Sequence, residues 1–225
     1  MGEDPVAEKS ARERARLEKR TAIATLCAEA QNCVCCTLSR TRTRVVFGVG
    51  NAASPLMLIG EGPGANEDAQ GEPFVGLAGK LLDECLYQAG MKREHIYLTN
   101  ILKCRAAVEE RGRLANRPPT MEELDACVPR WLRKQMAVIQ PRVICCIGGP
   151  AAKVVINPNF SVMRDRGKFF ECSYASHAIA VLHPAFILRQ EGDEYNRLRR
   201  YLIEDLVAAK ERAIASRSEP RRTLF

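Results

Sequence analysis

The stretch Pro55-Leu56-Met57-Leu58-Ile59-Gly60-Glu61-Gly62-Pro63-Gly64-Ala65-Asn66-Glu67-Asp68 decides how the rest of the chain is read. Its first five residues form a short apolar run, the pattern of a strand buried on both faces. The run breaks into a turn with Gly60, Gly62 and Gly64 around Pro63. Such a turn lets backbone N–H groups approach a ligand with no Cβ in the way. Beyond it, Pro73-Phe74-Val75-Gly76 leads into a helical pattern of Leu77, Leu81, Leu82 and Leu86. A glycine turn between strand and helix usually marks a phosphate loop. This one lacks both the Gly-Lys-Ser/Thr ending of a triphosphate loop and the spacing of a dinucleotide loop. It also holds two carboxylates, Glu61 and Glu67, which repel phosphate. The loop reads instead as a holder for a small neutral or electron-poor group beside a water. The competing reading, a tight surface turn, weakens because later strands end in similar ways.

Working outward, four apolar segments recur at wide spacing: Leu56 to Ile59, Ile96 to Leu102, Val143 to Ile147 and Ala178 to Leu182. Helical patterns over 77–89, 120–139 and 150–156 lie between them, and an amphipathic pattern over 193–214 follows. Strands alternating with helices imply an α/β fold, a parallel sheet with helices on both faces. Val45 to Gly50 reads as a strand or an extended approach to the first segment. Residues 1–30 read as a charged helical extension with a thin apolar stripe, 31–214 as one domain, and 215–225 as a basic, disordered tail.

A length of 225 residues suits one domain with tails, and 46% hydrophobic content suffices for a core. The formal net charge of +7 suits a nucleic-acid partner. No apolar run is long enough to span a membrane. The polar, acidic start Met1-Gly2-Glu3-Asp4-Pro5 does not read as a secretory signal. Ten cysteines without such a signal argue for a reducing compartment, the cytoplasm, where spaced cysteines bind metal or react.

In open α/β sheets, ligands bind at the carboxyl ends of the strands. Here those ends carry the Gly/Glu loop, then Thr99-Asn100 followed by Lys103-Cys104-Arg105, then Gly148-Gly149-Pro150, then His183-Pro184-Ala185-Phe186. Alone, Asn100 reads as a turn cap and His183 as a satisfied core histidine. Four polar termini on four successive strands instead predict one rim that gathers an amide, an imidazole and two carboxylates.

On these residues the chain resembles the family-4 uracil-DNA glycosylases, the iron–sulfur branch of the uracil-DNA glycosylase superfamily. The marks are Gly60-Glu61-x-Pro63-Gly64-x-x-Glu67-Asp68, Gly71-x-Pro73-Phe74-Val75-Gly76-x-Ala78-Gly79, Thr99-Asn100, Lys103-Cys104 and His183-Pro184-Ala185. They run from about Cys33 to Arg189, and residues 106–114 have no counterpart in the pattern. The resemblance implies a three-layer α/β/α sandwich with a central four-stranded parallel sheet, a [4Fe–4S] cluster, a monomer, and excision of uracil from DNA to start base excision repair.

Cys33-x-x-Cys36, with Cys104 and Cys127 from afar, supplies four thiolates. Spacing alone leaves zinc and an iron–sulfur cluster open; the resemblance favours [4Fe–4S]. Cys35 ranks below Cys33 and Cys36 as a ligand. Cys145 and Cys146 lie in an apolar strand and read as core, and Cys27, Cys85 and Cys172 take the same reading.

Uracil in a duplex is stacked, so it must be flipped out, at a cost of a few kcal/mol. The resemblance then assigns roles. Gly60, Gly62 and Gly64 bring backbone to the base, and Phe74 stacks on it. Asn100 meets its edge with both halves of its amide. His183 donates to O2, where charge collects as the bond breaks. Glu67 stands against C5 and excludes the thymine methyl, and Arg189 contacts DNA. Other branches carry an Asp where this chain has Gly62, which leaves Glu61 to orient the water.

Two rivals come from other classes. One is a protein that captures uracil in DNA without turnover; a sister branch does so with a His in an insertion after the second strand. Ala106 to Arg113 is extra here, but it holds no His, and Cys104 stands where that branch has one. The other is a nucleotide-binding α/β enzyme, which the acids in the glycine loop disfavour.

Overall fold

The structure, a computed structural model, describes residues 5–110 and 112–216. The tail expected to be disordered lies outside the described residues beyond Ser216.

The chain begins in a long helix, α1 (Pro5–Gln31). Residues 9–18 of α1 are exposed, in keeping with its thin apolar stripe. Its second half is anchored: Ile23, Leu26, Cys27 and Ala30 pack against buried side chains. Lys19 Nζ donates to the Ile139 carbonyl at 2.6 Å.

A single mixed sheet follows. Its strands are β1 (Val49–Gly50), β2 (Leu56–Gly60), β3 (Tyr97–Asn100), β6 (Val143–Ile147), β7 (Phe169–Cys172) and β8 (Ala175–Val181). The spatial order is β1-β3-β2-β6-β8-β7. The four apolar segments of the sequence form its parallel centre, β3-β2-β6-β8. Two antiparallel edge strands, β1 and β7, widen the expected four strands to six. Both are short, and both are half exposed, so neither carries the continuous apolar run that marks a central strand. Of Val45 to Gly50, only the last two residues join the sheet; Val46 pairs instead with the Lys103 carbonyl.

The central strands are apolar on both faces because both faces are covered. Leu56, Leu58, Leu98, Val143, Cys145, Ile147, Ile179 and Val181 point toward α3 (Leu77–Gln88) and α9 (Gly192–Ala215). Met57, Ile59, Tyr97, Ile144, Cys146, Ala178 and Ala180 point the other way, toward α5 (Arg133–Ile139) and α6 (Gly149–Val155). This period-2 division accounts for the core placement of Cys145 and Cys146.

The helical pattern at 120–139 is one rod in three parts. α4 (Met121–Cys127) starts at a capping box in which Thr120 Oγ1 accepts from the Glu123 N–H and the Glu123 carboxylate accepts from the Thr120 N–H. A π-turn over Val128–Leu132 follows, and α5 continues from it. Pro129 has no N–H to give the preceding turn, and a π-turn accommodates the gap without ending the rod.

The insertion after the second central strand folds as a hairpin of β4 (Ala107–Glu110) and β5 (Arg113–Asn116). Arg105 ties it down, donating from Nε to Asn116 Oδ1 at 2.7 Å and from Nη2 to the Leu114 carbonyl at 2.9 Å.

Candidate active site

Chain direction across the sheet reverses between β2 and β6: β2 leads outward to β3, and β6 leads the other way to β8. A crevice opens at such a switch point, at the carboxyl ends of the strands. Here it is a cavity of about 660 Å³, lined by Glu61, Glu67, Phe74, Asn100, Gly148 and His183 among others. Gly62, Gly64 and Arg189 also line it, and Gly60 lies beneath. Every residue expected on the rim is therefore brought to one place.

The glycine loop and the end of β3 are laced together. The Gly60 carbonyl accepts from Ile101 N–H at 2.9 Å, and the Glu61 carbonyl accepts from Leu102 N–H at 3.0 Å. Gly60 stands opposite Asn100 in the parallel register. A Cβ on Gly60 would lie 2.4 Å from Asn100 Oδ1 and 2.5 Å from the Phe74 ring. Only glycine lets the amide and the ring close on that point. Asn100 is 2% exposed, and its side chain forms no hydrogen bond to the described residues. The Glu61 carboxylate likewise has no partner among them. Burial raises its pKa above the ordinary 4.5.

Phe74 is held in an unusual backbone state, with φ at 57°. For a bulky residue this left-handed conformation costs about 1–3 kcal/mol and is kept only where neighbours impose it. Two clamps impose it here. On one side, Glu67 Oε1 accepts from Val75 N–H at 2.9 Å and Gly76 N–H at 2.8 Å, while Oε2 accepts from Gly64 N–H at 3.1 Å. On the other side, Arg93 donates to the Pro73 carbonyl and, at 3.0 Å, to the Phe74 carbonyl. Asp83 steadies Arg93 at 2.9 Å. Gly79 leaves room for the bend, since a Cβ there would meet the Phe74 carbonyl oxygen at 1.8 Å.

Two of the three acids in the loop, Glu67 and Asp68, are spent on backbone amides. Glu67 sits in the first turn of α2 (Ala65–Gln70), and its neighbour Asp68 is buried and accepts from the Thr43 N–H at 2.9 Å. Neither leaves this turn free to cradle a phosphate.

His183 caps the short helix α8 (Pro184–Ile187): its Nδ1 accepts from the Ala185 N–H at 3.1 Å. A ring nitrogen that accepts carries no proton, so the proton sits on Nε2. Burial, with help from the Arg189 charge, lowers its pKa to about 4 against the pull of Glu67. At neutral pH this is a neutral imidazole that donates through Nε2. Gly148, at φ of 89°, lets the ring pack close; a Cβ there would lie 3.1 Å from the His183 Cβ. Arg189 is stacked 5.9 Å over the Phe186 ring at the cavity mouth.

Beside this cavity lies a second, smaller one, lined by Cys33, Cys36, Cys104 and Cys127 with Cys35 at its edge. None of the ten cysteines is paired in a disulfide. Among the described residues, no three Cys, His, Asp or Glu side chains converge tightly enough to hold a single ion; the four sulfurs ring a cavity instead. Two donors are aimed at sulfur: Trp131 Nε1 at Cys33 Sγ, 3.4 Å, and Arg42 Nη1 at Cys104 Sγ, 3.6 Å. Burial pushes the Cys104 thiol up to about 12, so a bound metal is what would deprotonate it. Hydrogen bonds to the sulfurs are among the features that tune iron–sulfur clusters, and the four-cysteine donor set fits such a cluster. Cys145 and Cys146 are fully buried in β6, away from this cavity.

The sequence did not single out Arg93, Trp131 or Arg42. Each acts across a long separation, and no local spacing marks them. Lys103 was noted only as part of a motif; in the structure it is 1% exposed, and burial lowers its pKa to about 7 against the pull of Cys127 and Cys104.

A polar cavity at the switch point of a doubly wound sheet defines an α/β protein with its candidate ligand site at the strand ends. The chain belongs to the uracil DNA glycosylase superfamily, whose family model matches residues 47–207. It is 41% identical over 167 residues to the type-4 uracil-DNA glycosylase of Archaeoglobus fulgidus, covering 71% of this chain and 80% of that one. It is 38% identical over 181 residues to the type-4 uracil-DNA glycosylase of Thermotoga maritima, covering 80% and 88%. The type-4 uracil-DNA glycosylase of Sulfurisphaera tokodaii is 36% identical over 195 residues, with 83% and 82% covered. No helix among the described residues is long and apolar enough to cross a membrane.

Proposed function

We propose that this chain is a uracil-DNA glycosylase that hydrolyses the N-glycosidic bond of uracil after the nucleotide is flipped from the helix. The observation that carries the reading is the pairing, in one cavity, of an Asn100 amide without a partner among the described residues and a neutral, Nε2-protonated His183. The amide accepts from uracil N3–H and donates to O4. The imidazole donates to O2, where negative charge grows as the bond breaks, and so favours the transition state over the ground state.

Phe74, fixed in its strained turn, offers a ring for the flipped base to stack on. Glu67 stands at the cavity wall with three backbone N–H groups on its carboxylate. A carboxylate held this way cannot swing aside, which makes it a firm wall against the thymine methyl. Glu61 orients the attacking water and counters the cationic sugar; general-base help of this kind is worth about 10²–10⁴-fold. Gly62 replaces the Asp of other branches and cannot act as a base. Arg189 and Phe186 face the DNA at the cavity mouth.

Cys33, Cys36, Cys104 and Cys127 hold a [4Fe–4S] cluster in this reading. When bound, the cluster ties the 33–36 segment to the loop after β3; excision needs no electron from it. The partner is uracil-containing DNA, the enzyme acts as a monomer, and its place is the cytoplasm.

The test is incubation of the protein with an oligonucleotide carrying one uracil, followed by separation of products. An abasic strand with free uracil supports the reading. A shifted covalent band supports capture without turnover, and intact DNA refutes both.

A further inference from the structure

We propose that Lys103 is a positioning residue that couples the cysteine-lined cavity to recognition of the base by Asn100. The proposal rests on the uracil-excision reading above and extends it to a residue with no contact to the base.

Lys103 is among the most deeply buried polar side chains, and its position faces two ways. It lies between Leu102 and Cys104, lines the cysteine cavity, and its backbone N–H points a donor at the Cys127 sulfur. Its ammonium turns back toward β3. There Nζ donates to Thr99 Oγ1 at 2.6 Å and to the Asn100 carbonyl at 2.6 Å. The Phe47 ring lies beneath it, 5.7 Å away. Thr99 Oγ1 in turn donates to the Phe47 carbonyl at 2.7 Å, which also accepts from Gln135 Nε2 at 2.9 Å. The ammonium is thus part of a satisfied buried network and not a stray charge.

The consequence falls on the peptide plane that follows Asn100. Its carbonyl is held by Lys103 Nζ, and its amide, Ile101 N–H, is held by the Gly60 carbonyl at 2.9 Å. Fixing both ends of that plane fixes the Cα–Cβ direction of Asn100. An amide that must tell uracil from cytosine has to present donor and acceptor in one orientation, and a misplacement of about 1 Å at a reacting site costs about 10²-fold. Core packing alone would not specify an ammonium here. A Leu or Met would fill the same space but leave the Asn100 carbonyl and Thr99 hydroxyl without this donor. Because the same residue abuts Cys104 and Cys127, whatever the four thiolates hold is mechanically joined to the base reader. The charge, though turned toward β3, remains within electrostatic reach of Cys127 and Cys104.

The experiment compares Lys103→Met, Lys103→Gln and Lys103→Arg with the wild-type holoprotein. Iron and sulfide content, the reduction potential of the cluster, affinity for uracil-containing DNA, and single-turnover uracil release are measured for each. Rates are expressed per loaded cluster. Lys103→Met is expected to lose at least tenfold in rate with DNA affinity little changed, Lys103→Gln to fall between, and Lys103→Arg to retain most of the rate. The reduction potential of Lys103→Met is expected to drop, because a neighbouring positive charge is gone. If Lys103→Met does not load its cluster, the Gln and Arg variants decide the ranking. Equal rates per cluster in all loaded variants would overturn the proposal, as would a rate loss that merely follows lost cluster. If the wild type itself releases no uracil, the excision reading fails instead. The potential then still reports on its own whether the ammonium sits against the cluster, and an unchanged potential overturns that coupling.

Discussion

At His183, one backbone N–H decides the chemistry. The Ala185 amide takes Nδ1 as its acceptor and leaves the proton on Nε2. Burial then lowers the pKa from 6.5 to about 4. Folding therefore favours the neutral ring, and its stabilising effect is full above pH 6.5. It is lost as pH falls toward 4, a change on the order of 3 kcal/mol at most. Excision should not show a fall near the ordinary histidine value. Glu61, raised by burial, protonates first on the way down and sets the acid limb. In Glu61→Gln that limb is expected to disappear and leave one near pH 4 from His183. His183→Ala is expected to lose about 10²–10³-fold in single-turnover rate while still binding uracil-DNA. A limb at pH 6.5 in the wild type, or an unchanged rate in His183→Ala, would remove the neutral-donor role.

At the scale of elements, the turn from Pro73 to Gly76 is strained in sequence-local terms and secured by remote ones. Glu67 holds its amides and Arg93 its carbonyls. Arg93 belongs to a short turn just before β3, so the strand that carries Asn100 is also tied to the stacking ring. Arg93→Met keeps bulk and removes the donors. It is expected to cost about 1–3 kcal/mol in denaturant stability, because two backbone carbonyls lose their partner. Excision should weaken through both KM and kcat as Phe74 leaves its position. A variant with lower stability but wild-type kinetics would show that the clamp serves the fold alone. The π-turn at Val128–Leu132 works on the same scale: it carries Trp131 to the Cys33 sulfur on the rod that supplies Cys127.

Across the whole molecule, the cysteine cavity joins parts far apart in sequence: the end of α1, the loop after β3 and the end of α4. Metal-binding energy at such a site is folding energy. Cys104→Ala is expected to yield colourless protein lacking iron and sulfide, with a lower thermal midpoint and weaker DNA binding. Wild-type protein stripped by a chelator should follow the same curve. Zinc at one per chain in the purified wild type, with no iron, would refute the cluster assignment.

The central fold was legible before any coordinates. Leu56 to Ile59, Val143 to Ile147 and their two companions are apolar on both faces, and only a sandwiched parallel strand needs that. The rim residues were legible because strand ends converge in such a sheet, so Asn100 and His183 follow from topology. The edge strand β7 was not legible, and β1 was legible only as the end of an extended 45–50 segment, because a short half-exposed strand takes its structure from its neighbour. Nor was the commitment of Glu67 to three backbone amides, the tautomer of His183, the left-handed turn at Phe74, or the inward reach of Lys103. These depend on which donors and acceptors meet after folding. Periodicity and spacing record what each residue buries; hydrogen-bond pairing across a hundred residues is settled only when the sheet and its two helical layers close.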